Sequence, residues 1–124
     1  MYRISVIRHF DSAHFLRGYE GKCEALHGHR YQVRLAVKSD RLNDIGLAFD
    51  FTTLKKELDA VIVNYDHHCL NDVPPFDKTN PSAENIAETI YKEMKLRIEM
   101  ANIVITEVEV WESPDSSATY VPDN

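Results

Sequence analysis

His27-Gly28-His29-Arg30-Tyr31-Gln32-Val33-Arg34-Leu35-Ala36-Val37 decides how this chain folds. Its odd positions hold His27, His29, Tyr31, Val33, Leu35 and Val37, and its even ones include Arg30, Gln32 and Arg34. This is the period-two pattern of a half-buried strand. Side chains two apart on a strand share a face. The two imidazoles therefore continue the core-facing row, roughly 7 Å apart along the strand, a gap that two rings can close around one ion. Gly28 between them leaves the opposite face bare.

The preceding segment has the same logic. Ile4, Val6, Phe10, Ser12 and His14 share even parity, with Arg3, Ser5, His9 and Asp11 on the other side. His14 thus ends a second core row, and His9, with the wrong parity, stays outside the cluster. Two antiparallel strands joined by a loop from about Phe15 to Leu26 bring His14 beside His27 and His29 at one rim of a sheet. A lone His-Gly-His arises by chance, and a lone histidine is usually packed or solvated; what sets this one apart is the register on both sides. Three protein nitrogens without an obvious fourth ligand match a catalytic zinc, which keeps a position for water or substrate. Cys23, four residues before His27, is either the fourth ligand of a closed, inert site or an acid or base beside the metal. Spacing alone does not choose between them.

The 124 residues, 44% hydrophobic and 27% charged, suit one soluble globular domain over residues 1–124. No apolar run is long enough for a membrane span, and the opening Met-Tyr-Arg-Ile-Ser has no h-region, so cytoplasmic residence with free Cys23 and Cys69 thiols is expected. The net charge of −6 argues against nucleic acid as main partner. An anionic small substrate needs a local basic pocket, which Arg17, Lys22 and Arg30 are placed to supply unless they are simply solvated.

Leu54, Leu58, Val61, Ile62 and Tyr65 recur at helical spacing after a cap at Asp50 or Thr52. A polar loop with Pro74, Pro75 and Pro81 follows. A second helix starts near Ser82, capped by Asn80 or Ser82, with an apolar stripe of Ile86, Ile90, Met94 and Ile98. Val104, Thr106, Val108 and Val110 then alternate with Ile103, Ile105, Glu107, Glu109 and Trp111, and a short strand from about Ser117 to Val121 ends the pattern. The order ββααββ predicts an α+β layer.

Two further groups carry chemistry. Asp66-His67, inside Tyr65-Asp66-His67-His68-Cys69-Leu70-Asn71-Asp72, puts a carboxylate beside an imidazole suited to proton transfer; the plainer reading is a histidine cap on the helix C-terminus. Glu112 continues the even row of Val104 to Val110 and ends it with a charge. Such a carboxylate must be paired, ligand-bound or at the sheet's open rim, because burying it alone is costly.

His14, Cys-x-x-x-His-Gly-His at Cys23 to His29, Asp-His-His-x-Leu-Asn-Asp at Asp66 to Asp72, Asn80-Pro81-Ser82-Ala83-Glu84-Asn85 and Glu112 together resemble the 6-pyruvoyl-tetrahydropterin synthase family. The likeness covers almost the whole chain in order. The three residues between cysteine and His-Gly-His look more like its bacterial 6-carboxytetrahydropterin synthase branch, of the queuosine pathway, than like the pyruvoyl branch. The resemblance implies that His14, His27 and His29 bind zinc, that Cys23 is a base and not a ligand, that Asp66 orients a proton-relaying His67, and that Glu112 holds the pterin. Ser82-Ala83 stands where relatives commonly carry a threonine, so that loop departs from the pattern. It also implies a T-fold (tunnelling fold) subunit, a four-stranded antiparallel sheet with two helices on one face, that closes a barrel with its neighbours as a homohexamer of two trimers, with active sites between subunits and no redox cofactor. Two other readings are a non-catalytic zinc-binding oligomer with Cys23 as fourth ligand, and a metal hydrolase that has no use for Glu112.

Overall fold

The two long strands that carry the histidines pair over their full length in the computed structural model, which describes residues 1–19 and 25–123. Strand β1 (Tyr2–His14) and strand β2 (His27–Ser39) run antiparallel from Tyr2 opposite Ser39 to His14 opposite His27. Both expected core rows hold. Val6, Phe10, Ser12 and His14 are buried on β1, and Tyr31, Val33, Leu35 and Val37 on β2. Each large apolar side chain in these rows stabilises the fold by roughly 1.5–3 kcal/mol.

Helix α1 (Phe51–Ile62) starts at Asp50, whose carboxylate accepts from the Thr52 amide at 2.8 Å. Helix α2 (Ala83–Ile98) starts at Ser82, whose hydroxyl accepts from the Asn85 amide at 3.2 Å. Each side chain satisfies a donor that the first turn leaves without a partner. Leu54, Leu58, Val61 and Ile62 of α1 and Ile86, Ile90, Met94 and Ile98 of α2 are buried. Helix α1 lies over β1, and α2 over the two C-terminal strands, β4 (Ile103–Ser113) and β5 (Ser116–Tyr120), so one face of the sheet is covered.

The sheet departs from expectation in two places. It has five strands in the order β3-β1-β2-β4-β5, the addition being β3 (His68–Cys69), which runs parallel to β1 at Ser12 and Ala13. Two residues are too few to show an alternation. The other departure is the parity of β4. Ala36 faces Glu107 but Val37 faces Ile105, which leaves Thr106 as an extra residue whose hydroxyl donates to the Ala36 carbonyl at 3.2 Å. A β-bulge of this kind shifts the side-chain alternation by one. Ile103 and Ile105 are therefore buried while Val104 is 38% exposed, and Val108 and Val110 resume the inward row beyond the bulge. Glu112 reaches the rim on the histidine side because of that shift.

The helix-capping reading of the histidine pair is also overturned: α1 ends at Ile62 with Val63 as its C-cap, well before His67. Among the described residues no helix is long and apolar enough to cross a membrane.

Candidate active site and metal centre

At the rim where β1 and β2 end, the side-chain donors of His14, His27, His29 and Glu112 all lie within 4.8 Å of one another. The His14 and His27 Nε2 atoms are 3.0 Å apart. Glu112 Oε1 is 2.9 Å from His14 Nε2 and 3.2 Å from His29 Nε2. Second partners fix two of the rings. His14 Nδ1 is 2.7 Å from the Pro81 carbonyl, and His27 Nδ1 is 2.7 Å from the Ala25 carbonyl. A carbonyl only accepts, so each Nδ1 carries a proton, and the tautomer this selects has its lone pair at Nε2.

Two lone pairs at 3.0 Å repel unless a cation lies between them. Tetrahedral coordination at about 2.0–2.1 Å holds ligand nitrogens roughly 3.3 Å apart, close to this spacing. Among the described residues His29 Nε2 is buried with no hydrogen-bond partner, and it adds a third nitrogen to the cluster. Burial is the largest influence on His14 and on His29, and it lowers both below the ordinary imidazole range despite the opposing pull of Glu112. Neutral, pre-oriented imidazoles are the ligand form a divalent metal requires. The donor set fits zinc: three nitrogens, with one carboxylate beside them.

Asp66 and His67 form a second group, with Asp11, at the β3 edge of the sheet. His67 Nδ1 is 3.0 Å from Asp66 Oδ2, and Asp66 Oδ1 accepts from the Asp11 amide at 2.9 Å. The Asp11 amide, more than His67, holds the Asp66 carboxyl below the usual carboxylate range. His67 has φ of 59°, and its amide donates to the Asp11 carbonyl at 2.6 Å. A non-glycine residue there costs of order 1–2 kcal/mol, and such strain clusters at functional sites. Its ring is 78% exposed, and its donor atoms group with Asp11 and Asp66 and not with the histidine cluster.

The remaining candidates separate cleanly. Cys23 and Lys22 lie outside the described residues. Arg17 does not form a basic pocket: its guanidinium donates to the Phe76 carbonyl at 2.9 Å and to the Asp77 carbonyl at 3.3 Å, tying down the proline loop. Arg30 and His9 sit on the uncovered face of the sheet, in a depression of about 300 Å³ shared with Gln32 and Trp111. The carbonyls of Pro81 and Ala25, which set the histidine tautomers, had no signal in the sequence, because any residue supplies a carbonyl.

Two helices on one face of an antiparallel sheet, with a histidine cluster at its rim, place this chain in the T-fold class of α+β proteins. It superposes on the 6-pyruvoyl tetrahydropterin synthase of Caenorhabditis elegans with a TM-score of 0.88 at 26% identity, over 98% of this chain and 96% of that one. The Plasmodium falciparum enzyme of the same name gives 0.72 at 26% identity, over 96% of each chain. The family model described as 6-pyruvoyl tetrahydropterin synthase matches residues 3–123. A Synechocystis sp. protein named 6-carboxy-5,6,7,8-tetrahydropterin synthase is 38% identical over 117 residues, 90% of this chain and 86% of that protein. The Bacillus subtilis protein of that name is 36% identical over 121 residues, 92% of this chain and 81% of that protein. The chain belongs to the 6-pyruvoyl tetrahydropterin synthase family, a family of lyases.

Proposed function

We propose that this chain is a zinc-dependent 6-carboxy-5,6,7,8-tetrahydropterin synthase, which converts 7,8-dihydroneopterin triphosphate and water to 6-carboxytetrahydropterin, acetaldehyde and triphosphate in the cytoplasmic synthesis of queuosine. The observation that carries it is the convergence of His14, His27 and His29 beside Glu112, in a chain whose relatives at 36–38% identity bear that name. Zinc held by the three imidazoles would make the hydroxyls of the substrate side chain more acidic. Cys23, as a thiolate near a cation, removes protons from that side chain. His67 relays them, and Asp66 orients and stabilises its ring. Glu112 accepts two hydrogen bonds from the pterin ring N–H and amino groups.

Asp66 and His67 stand apart from the histidine cluster within one chain, which supports a site completed by a neighbouring subunit, in a homohexamer of two trimers. The test is incubation with 7,8-dihydroneopterin triphosphate and identification of the products by mass. Carboxytetrahydropterin with acetaldehyde is expected. Pyruvoyl-tetrahydropterin as the main product would overturn the branch, and an unchanged pterin would overturn the activity.

One observation favours a second reading. Glu112 Oε1 is close enough to two imidazole nitrogens to act as a fourth ligand. The site would then be closed and inert.

A further inference from the structure

The two motifs around the proline loop contain three asparagines, Asn71, Asn80 and Asn85, to which the chemistry above gives no task. All three hold backbone. Asn71 is 6% exposed; its Oδ1 accepts from the Phe15 amide at 3.0 Å and its Nδ2 donates to the Phe15 carbonyl at 3.0 Å. Asn80 treats Arg17 the same way, with both bonds at 2.9 Å. Asn85 Nδ2 in turn donates to the Asn80 carbonyl at 2.9 Å. A carboxamide carries an acceptor and a donor side by side, as a peptide edge does, so Asn71 and Asn80 each imitate one residue of a neighbouring strand.

Phe15 and Arg17 are two apart, so in extended chain they present N–H and C=O to the same edge. That edge is already paired further back: β3 lies beside Ser12 and Ala13, and Asp11 bonds the Asp66 carboxylate and the His67 amide. The outer ladder of β1 therefore runs on to Arg17, three residues past the end of the strand, with side chains in place of backbone. His14, the last residue of β1, sits immediately before this extension. Its backbone is followed at once by the Asn71 clasp, and its ring is tied to the carbonyl of Pro81, the residue after Asn80.

We propose that Asn71 and Asn80 are positioning residues that aim His14 at the metal site, by clasping the backbone at Phe15 and Arg17 and so anchoring the segment that presents the Pro81 carbonyl to His14. This rests on the reading of His14 as a metal ligand. Partners one shell out from a metal typically change its affinity by about 10–100-fold when lost.

The test uses cobalt(II) with the full chain, reading affinity by chelator competition and ligand geometry from the visible spectrum. Asn71→Asp and Asn80→Asp keep the acceptor but set a second oxygen against a carbonyl. Each is expected to bind cobalt about 10–100-fold more weakly, with a spectrum shifted toward that of His14→Ala. Asn64→Ala, which removes a side-chain hydrogen bond donated from just beyond α1 to the Val61 carbonyl, serves as control and is expected to leave both readings at wild type. Wild-type affinity and spectrum in the folded Asp variants would overturn the proposal, however far their melting temperatures fall. If those variants do not fold, hydrogen exchange of the wild type decides: because coupling is reciprocal, zinc is expected to slow exchange at Phe15 and Arg17. No change there would overturn it. A wild type that takes up no cobalt, or a His14→Ala variant that binds it as well, would instead sink the metal reading itself.

Discussion

Glu112 and Glu93 are both carboxylates drawn partly into the protein, and they answer to different forces. Glu112 sits among three imidazoles. If it grips substrate, Glu112→Gln should retain metal within about twofold and lose roughly 10–100-fold in kcat/KM, the worth of a hydrogen bond to a charged group. A large fall in metal affinity would make it a fourth ligand. Among the described residues Glu93 has only the Tyr65 hydroxyl, which donates to its Oε1 at 2.7 Å, while its Oε2 is buried without a partner. Burial raises its carboxyl above the ordinary 4.5. Just above pH 4.5 the native chain thus binds more protons than the unfolded one, so this group's contribution to stability falls as pH rises through its raised pKa and is least at neutrality. Glu93→Gln should raise the melting temperature at neutral pH, by up to about 1 kcal/mol of stability, and flatten that slope. A lower melting temperature at neutral pH would contradict this assignment.

Among the elements, β4 shows where the sequence can be read and where it cannot. Alternation placed the inward rows of β1 and β2, and hence all three histidines, because burial of one face is written in every second residue. It misplaced Val104, since a bulge is decided by pairing across strands and Thr106 carries no mark of being the extra residue. Strand β3 and the second partners of His14 and His27 were illegible for a related reason: two residues have no period, and backbone carbonyls have no letter. Deleting Thr106 tests the bulge. It would straighten the ladder and turn outward either Ile103 and Ile105 or Val108, Val110 and Glu112. The expected outcome is a loss of roughly 3–6 kcal/mol, two buried aliphatic side chains' worth, seen as failure to fold or a collapse of the melting temperature. A variant as stable as wild type would mean that the bulge is not what keeps the two rows inward.

At the scale of the molecule, one chain holds the parts of the proposed chemistry in two groups that do not meet. If neighbouring subunits complete each other's sites, Cys23→Ala and His67→Ala chains, each inactive alone, should complement when unfolded and reassembled together. A random mixture should recover about a quarter of wild-type activity, because each interface draws its two contributors independently. Recovery of none would put the whole site in a single chain.

Strand β3 has a further consequence, because it occupies only the last stretch of the outer side of β1. Among the described residues no strand lies beside Tyr2–Phe10 on that side, and β5 at the far end of the sheet is likewise unflanked. Open edges of this kind are templates for another chain. His67 and His68 are the buffer at the end of that track. Any strand that docks along β1 must halt against them, so these two residues would fix how far an incoming neighbour can slide.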